Sequence, residues 1–472
     1  MLELSVVNPW QKGTVLNEQV CDASEPRRAL GLFDAICLTV GVIVGVGIYQ
    51  TAPEVAKAAV SPWQVYAFWL AGGLLTLAGA CCYAELASTY PKDGGDYVYL
   101  SRAYGPWAGF LFAWFQCTLI RPGDIALVSW VFAHHLLLLV RTWHSDWQQW
   151  GVSSWHTAWV ACCSVVVLTL FHSWGIVTGK WLQNILTLAK LAGIVWLVGV
   201  AAAAPAGGEA VPAASSSIVE LPALPATVAI ILVLFTYGGW SDAALVAAEV
   251  RRPERNIFRA LVGGTILVTV IYLAMNGAFL RVLGHAQMAG SSAVAEDMLK
   301  AAGTAKAAAW INALICVSAL GCASGMVLTG ARISYALGAD HPALAWLGRW
   351  NTRPGAPRHA LALQAAATCA MLLLLRDFLD TLMYTSAAVY GFYTATSLAV
   401  VVLRRKEPNV PRPYRVTGYP VTVLVFAATS LYLMYSALMY RPWHALAMVV
   451  YLAVGLLLYR LQNIWPSRGP KS

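Results

Sequence analysis

Five glycines set in two apolar stretches carry the first chemical signal in this chain. Gly41-Val42-Ile43-Val44-Gly45-Val46-Gly47-Ile48-Tyr49 lies at the middle of an apolar segment over residues 31–57. Phe235-Thr236-Tyr237-Gly238-Gly239-Trp240-Ser241-Asp242 lies at the middle of another over 223–249. Glycine loses the most conformational freedom on ordering, so such clusters disfavour continuous helix. In hydrocarbon an opened backbone is tolerated only where it lines a cavity or is buried in protein. Both stretches are therefore candidate binding elements. A simpler reading, close helix packing through small residues, fits either cluster alone but fits poorly the two in matching positions.

Lys190 is the most informative charge. It stands near the middle of an apolar span, where a lysine costs roughly 2.5 to 3.5 kcal/mol on insertion scales, so it requires a partner and a role. That role is either a fixed internal cation or a proton carrier, and a lysine held by backbone carbonyls for stability alone is the plainer alternative. Arg121 and Asp124 lie three residues apart, a spacing that allows a pair on one helical face; a pocket role for Asp124 is the other reading. Trp240 is placed either as an aromatic gate or as packing, and Tyr384 and Tyr390 are further aromatic candidates near the site. Asp34, Glu54, Glu85 and Glu249 sit near span ends, where gate or loop contacts are expected.

The elements that must position these residues follow from composition. Of 472 residues, 59% are hydrophobic and 11% charged, against roughly 25% charged in soluble globular domains. An all-α polytopic membrane protein is expected, and residues 1–30 contain no apolar run of the signal-peptide kind. The formal charge of +9 does not point to nucleic acid. With the N-terminus inside, Arg251, Arg252, Arg255, Arg404, Arg405 and Lys406 fall in cytoplasmic segments, as the positive-inside rule requires. The ten cysteines are scattered without CxxC spacing, so neither a metal site nor a disulfide framework is indicated, and no cofactor is expected. Without metal-ligand spacing, GxSxG or paired catalytic carboxylates within a span, no enzyme is indicated. A receptor that binds without moving its ligand is not excluded.

In order, the spans are expected near 31–57, 63–88, 104–140, 157–174, 181–204, 223–249, 258–281, 304–337, 359–376, 378–403, 418–440 and 443–461. The third is too long for one perpendicular crossing of roughly 20 residues, so a tilted, kinked helix with an amphipathic lead-in is predicted. Twelve spans put both termini on the cytoplasmic side. A broken span opening each half of the chain points to a secondary transporter with inverted repeats and a site near the midplane. The domain reading is a tail over 1–29, a first repeat over 30–204, an external connector over 205–222, a second repeat over 223–403, two further spans over 404–462 and a tail over 463–472. A polar external stretch over 284–303 has room for a short helix.

Several blocks, in this order and spacing, resemble the amino acid, polyamine and organocation transporter superfamily, its L-type amino acid transporter branch most closely. They are Gly41 to Tyr49, Arg121-Pro122-Gly123-Asp124-Ile125-Ala126, Tyr237-Gly238-Gly239-Trp240 with Glu249 to Asn256, Ser318 to Gly325 with Arg332, and Val402 to Pro413. The resemblance covers residues 30–440. It implies the LeuT-type five-plus-five inverted repeat with broken helices 1 and 6, and transport of amino acids by alternating access. An amino acid zwitterion then needs two complementary ends. The amides of Gly45, Val46 and Gly47, at the positive end of a half-helix, suit its carboxylate. The carbonyls of Ile43, Phe235 and Gly238 suit its ammonium, with Trp240 and Ser241 beside them.

Relatives commonly carry Gly-Ser-Gly where this chain has Gly45-Val46-Gly47, so one hydroxyl donor to the carboxylate is missing. By resemblance, the Lys190 ammonium stands where sodium-coupled cousins bind sodium. A sodium-independent exchanger of neutral L-amino acids is expected; a proton-coupled symporter, or a carrier of cationic amino acids or polyamines, is the alternative. Eukaryotic L-type relatives bind a glycoprotein through a cysteine in the loop after the third span. Residues 141–156 contain none, so no covalently linked heavy chain is expected, but a monomer or homodimer in a prokaryotic inner membrane.

Overall fold

The computed structural model describes residues 28–143, 154–204, 225–304, 310–351, 355–374, 378–440 and 442–464. Nearly all of the expected N-terminal tail, the 205–222 connector, most of the 141–156 loop and the last eight residues lie outside them. The described residues form helices and contain no strand beyond two isolated bridges. This follows from the apolar sequence, because in lipid a helix satisfies every backbone N–H and C=O within its own segment.

The helices are α1 (Leu32–Ile43), α2 (Gly47–Ala58), α3 (Pro62–Thr89), α4 (Asp96–Tyr104), α5 (Pro106–Phe115), α6 (Arg121–Trp143), α7 (Ser154–Ser173), α8 (Ile176–Ala203) and α9 (Ala226–Thr236). They continue as α10 (Asp242–Leu245), α11 (Pro253–Gly290), α12 (Val294–Ala301), α13 (Ile311–Asp340), α14 (Arg358–Leu374), α15 (Phe378–Lys406), α16 (Val421–Tyr440) and α17 (Pro442–Ile464). Among the described residues, eight helical segments are long and apolar enough to cross a membrane, the bent pair α1–α2 makes a ninth when taken as one span, and three shorter apolar helices accompany them. Leu74, Val195 and Leu431 are among the large apolar side chains left on the outside, where only lipid can cover them.

Both glycine clusters interrupt helix. α1 and α2 meet at 49° across residues 44–46. α9 stops at Thr236, and the chain turns through Gly239 at φ +87° before the single turn of α10. The span expected over 223–249 is thus shorter after its break than before it, because the apolar run soon meets Arg251 and Arg252. The long third span carries a lead-in helix, α4, and then α5 and α6 joined by a π turn over Gln116–Ile120. The short external helix within 284–303 is α12.

One end of the bundle gathers the basic residues and is cross-tied. Leu30 N donates to Glu249 O (2.9 Å) and Arg251 N to Leu30 O (2.8 Å), pairing the entry of α1 with the exit of α10. Arg332 of α13 holds Glu249 through Nε at 2.7 Å, both residues almost fully buried. Glu85 takes Arg404 at 2.8 and 2.5 Å and the Val416 amide at 2.7 Å. Asp34 accepts from Asn184 (2.7 Å) and Lys180 (3.2 Å), and Lys57 reaches Glu54 at 2.6 Å toward the other end. The acidic residues near span ends make the inter-helix and local ties that their positions suggest.

Candidate functional site

The break in α1 strips its last carbonyls of intrahelical partners, and neighbouring helices supply replacements. Lys190 of α8, with no exposed surface, donates from Nζ to Val44 O (2.7 Å), Gly41 O (2.8 Å) and Ser318 O (3.0 Å). Three donors meet three acceptors, the full requirement of an ammonium. Ser318 Oγ reaches Val44 O (3.2 Å) and Gly45 O (3.0 Å), and Cys322 Sγ reaches Val42 O (3.1 Å). Tyr272 of α11 shares its one hydroxyl proton between Ile43 O (2.9 Å) and Thr236 O (3.0 Å) and so clips the two broken helices together. Tyr272→Phe leaves these two carbonyls short of a donor. It is expected to cost about 1 to 3 kcal/mol, read as a lower thermal midpoint in detergent with a several-fold slower uptake rate.

On the far side of the break, the first turn of α2 presents its amides. Tyr49 N turns back on Val46 O (3.2 Å) and Gly45 N is taken by Ile43 O (2.8 Å). Gly45 therefore does not offer the free amide expected of it. Among the described residues no backbone partner is found for Val46 N or Gly47 N, which remain as donors at the positive end of the helix dipole. Ile43 O, expected to receive an ammonium, already accepts from Gly45 N and Tyr272 Oη, so both its lone pairs are engaged. That leaves the turn after α9, where Phe235 O accepts from Gly238 N (2.8 Å) and keeps a second lone pair.

These elements face a cavity of about 140 Å³ lined by Ile43, Gly45, Val46, Gly47, Phe235 and Gly238 together with Asp124, Thr236, Cys322, Met326 and Tyr390. Gln50, Val131 and Thr385 also line it. A second chamber of about 50 Å³ shares Asp124, Gly239, Met326, Val389 and Tyr393 with the first and extends to Gln116, Arg121, Ser241 and Asp242. Packing around the breaks is tight. A Cβ on Gly239 would stand 2.4 Å from Val42 Cγ1, at a φ that side chains rarely adopt. Gly239→Ala is accordingly expected to lose about 2 kcal/mol or more, seen as a large fall in uptake per folded molecule.

Other sequence candidates fall differently. Arg121 does not pair with Asp124: it holds Asp242 in a fork of two 2.8 Å bonds, and Thr329 Oγ1 adds a third at 2.7 Å. The three-residue spacing suggested a local pair, but Asp242 matches the planar guanidinium in a bidentate geometry that helix neighbours cannot reach. Asp124 is left facing both chambers. Trp240 lines neither. It is 3% exposed and packs against Tyr83, Tyr393 and Phe426 at ring separations of 4.8, 5.2 and 5.6 Å, the contacts of a packing residue. Ser241 lines the smaller chamber together with Tyr393. Tyr390 lines the larger one, and the side chain of Tyr384 lies outside the described residues. Tyr272, Ser318, Cys322, Thr236 and Gln116 were not singled out by sequence reasoning. Tyr272 left a usable trace, since a lone phenol near the middle of an apolar span needs a partner for its hydroxyl.

The description "Amino acid permease" belongs to the family whose profile matches residues 30–458. The chain belongs to the amino acid permease family. This permease is 28% identical to the mouse b(0,+)-type amino acid transporter 1 over 443 residues, 92% of this chain and 88% of that protein. It is 29% identical to the serine/threonine exchanger SteT of Bacillus subtilis, across 87% of this chain and 91% of the other. The large neutral amino acids transporter small subunit 2 of Oryctolagus cuniculus is 28% identical, across 85% and 75% respectively. This permease is thus a multi-pass membrane protein whose relatives are amino acid transporters and not enzymes.

Proposed function

We propose that this permease exchanges amino acids across the membrane without sodium, neutral L-amino acids among them, by alternating access. The observation that carries the reading is Lys190: its ammonium occupies the gap between the broken α1 and α13 and satisfies the carbonyls that a bound cation would otherwise serve. All three of its protons are donated, and loss of one would leave a buried carbonyl unmatched. That favours a fixed cation over a proton carrier. The substrate carboxylate sits on the Val46 and Gly47 amides and its ammonium on the Phe235 and Gly238 carbonyls, while Leu127, Val128, Val131 and Leu234 accept an apolar side chain. The exchange activity that the name of SteT describes supports the same mechanism.

The basic end is assigned to the cytoplasm by the positive-inside rule. The cross-tied basic end is the closed one in this reading. In this reading the twelve spans form a five-plus-five repeat over 30–204 and 223–403, the protein sits in a cell's inner (plasma) membrane with both termini inside, and no heavy chain is covalently attached.

Uptake of labelled amino acids into proteoliposomes tests this, with and without internal unlabelled amino acid, sodium or a pH gradient. Uptake that requires internal substrate and ignores sodium and pH is expected. Accumulation driven by a proton gradient alone, and lost in Lys190→Ala, would instead make Lys190 a proton carrier. Binding without accumulation would make the protein a receptor.

A further inference from the structure

The smaller chamber is lined by three carboxylates, Asp96, Asp124 and Asp242, and one guanidinium, Arg121. Two of the carboxylates are served. Asp242 is taken by Arg121 and Thr329, and Asp96 accepts from Tyr83 Oη and from Thr396 Oγ1, the latter at 2.6 Å. Asp124 has no hydrogen-bond partner among the described residues and faces both chambers. A second acceptor stands in the same chamber: Gln116 is 8% exposed, and its Oε1 is buried without a partner. Arg121 Nε is an unpartnered donor there, but the terminal nitrogens of that side chain are committed to Asp242. Tyr393, the other titratable group on this wall, lines the chamber beside Ser241.

A half-buried carboxylate and a buried amide oxygen, both open, ask for one group with several N–H donors and a positive charge. Acceptors have no use for an aliphatic side-chain end. From the larger cavity the way to them runs past Met326 and Val389, apolar residues shared by both chambers, which suit a methylene stem.

We propose that Asp124 and Gln116 form a subsite for the cationic end of a substrate side chain, so that the permease also carries amino acids of the lysine or ornithine type. The inference rests on the amino acid transport reading and assigns a further substrate class to the same site. The zwitterion occupies the helix breaks, the stem passes Met326 and Val389, and the terminal ammonium divides its donors between the Asp124 carboxylate and Gln116 Oε1.

The test compares uptake of labelled L-lysine and L-norleucine, whose stems match and whose ends differ by the ammonium, in proteoliposomes of the full chain. Wild type is expected to carry lysine. Asp124→Asn should lower the lysine-to-norleucine ratio by about tenfold or more, because the charge is removed from a desolvated site. Gln116→Leu should lower it less, and Asp124→Glu should recover part of it. A ratio equal in wild type and Asp124→Asn overturns the proposal. So does a wild type that carries norleucine but not lysine, with norleucine uptake that falls as pH rises and loses that dependence in Asp124→Asn; the positive charge at Asp124 would then be a proton. If wild type accumulates neither compound, the transport reading falls with the subsite.

Discussion

Lys190→Ala is expected to abolish exchange and to destabilise the protein by roughly 3 to 5 kcal/mol. Its Nζ bonds hold Gly41 and Val44 at the end of α1 and Ser318 in α13. Removing it leaves three buried carbonyls with fewer donors and takes away the positive charge at the negative end of the α1 dipole. No neighbouring side chain can take its place. Thr187 already bonds Cys37 O, and Ser318 already reaches Val44 and Gly45. Arginine does not fit well either, since Gly321 packs so closely that a Cβ there would meet Lys190 Cε at 2.8 Å. Lys190→Met, which keeps the stem and deletes the charge, should fail almost as completely. Counterflow rates in proteoliposomes, together with thermal midpoints in detergent, separate loss of mechanism from loss of fold. A Lys190→Met protein that exchanges at the wild-type rate would remove Lys190 from the mechanism.

Glu249→Gln is expected to open the basic end. The Arg332–Glu249 pair is 1% and 0% exposed at its side chains, and removing one charge from a buried pair typically costs about 3 to 5 kcal/mol because the other is left uncompensated. Glu249 also lies on the segment whose carbonyl receives Leu30 N, so loosening it frees the entry of α1 as well. The readout is Cys322, which lines the cavity. In a background retaining only that cysteine, a membrane-impermeant thiol reagent applied from the basic side should react about tenfold faster or more in Glu249→Gln, the factor expected if even 1.4 kcal/mol of this penalty reaches the opening equilibrium. An unchanged rate would show that the pair stabilises the fold without holding the gate.

The sequence exposes this protein's plan at the places where local rules break. Gly45, Gly47, Gly238 and Gly239 mark both helix breaks because glycine in an apolar span contradicts helix propensity, and Lys190 stands out because a charge there contradicts hydropathy. What the sequence hides is which partner each polar group finds. Arg121 and Asp124 look paired by spacing, yet Arg121 takes Asp242, 121 residues away. Ile43 O and Gly45 N look available, yet they bond to each other and to Tyr272, which lies on another helix. Trp240 sits inside a binding motif but spends its ring on Tyr83 and Phe426. Such choices depend on which helices pack together, information that a span's own composition does not contain.

The π turn over Gln116–Ile120 behaves like one residue inserted into an otherwise regular helix. It brings Arg121 N onto Gln116 O, so side chains five positions apart share the small chamber, which α-helical spacing would set about 140° from each other. Deleting a single codon within 117–120 would close the widened turn to an ordinary helical one and leave Gln116 four positions from Arg121, about 40° away and on the same face. A lineage could therefore drop the extra residue in one step and keep Gln116, Arg121 and Asp124 on the same wall, whereas straightening the turn at full length would part them.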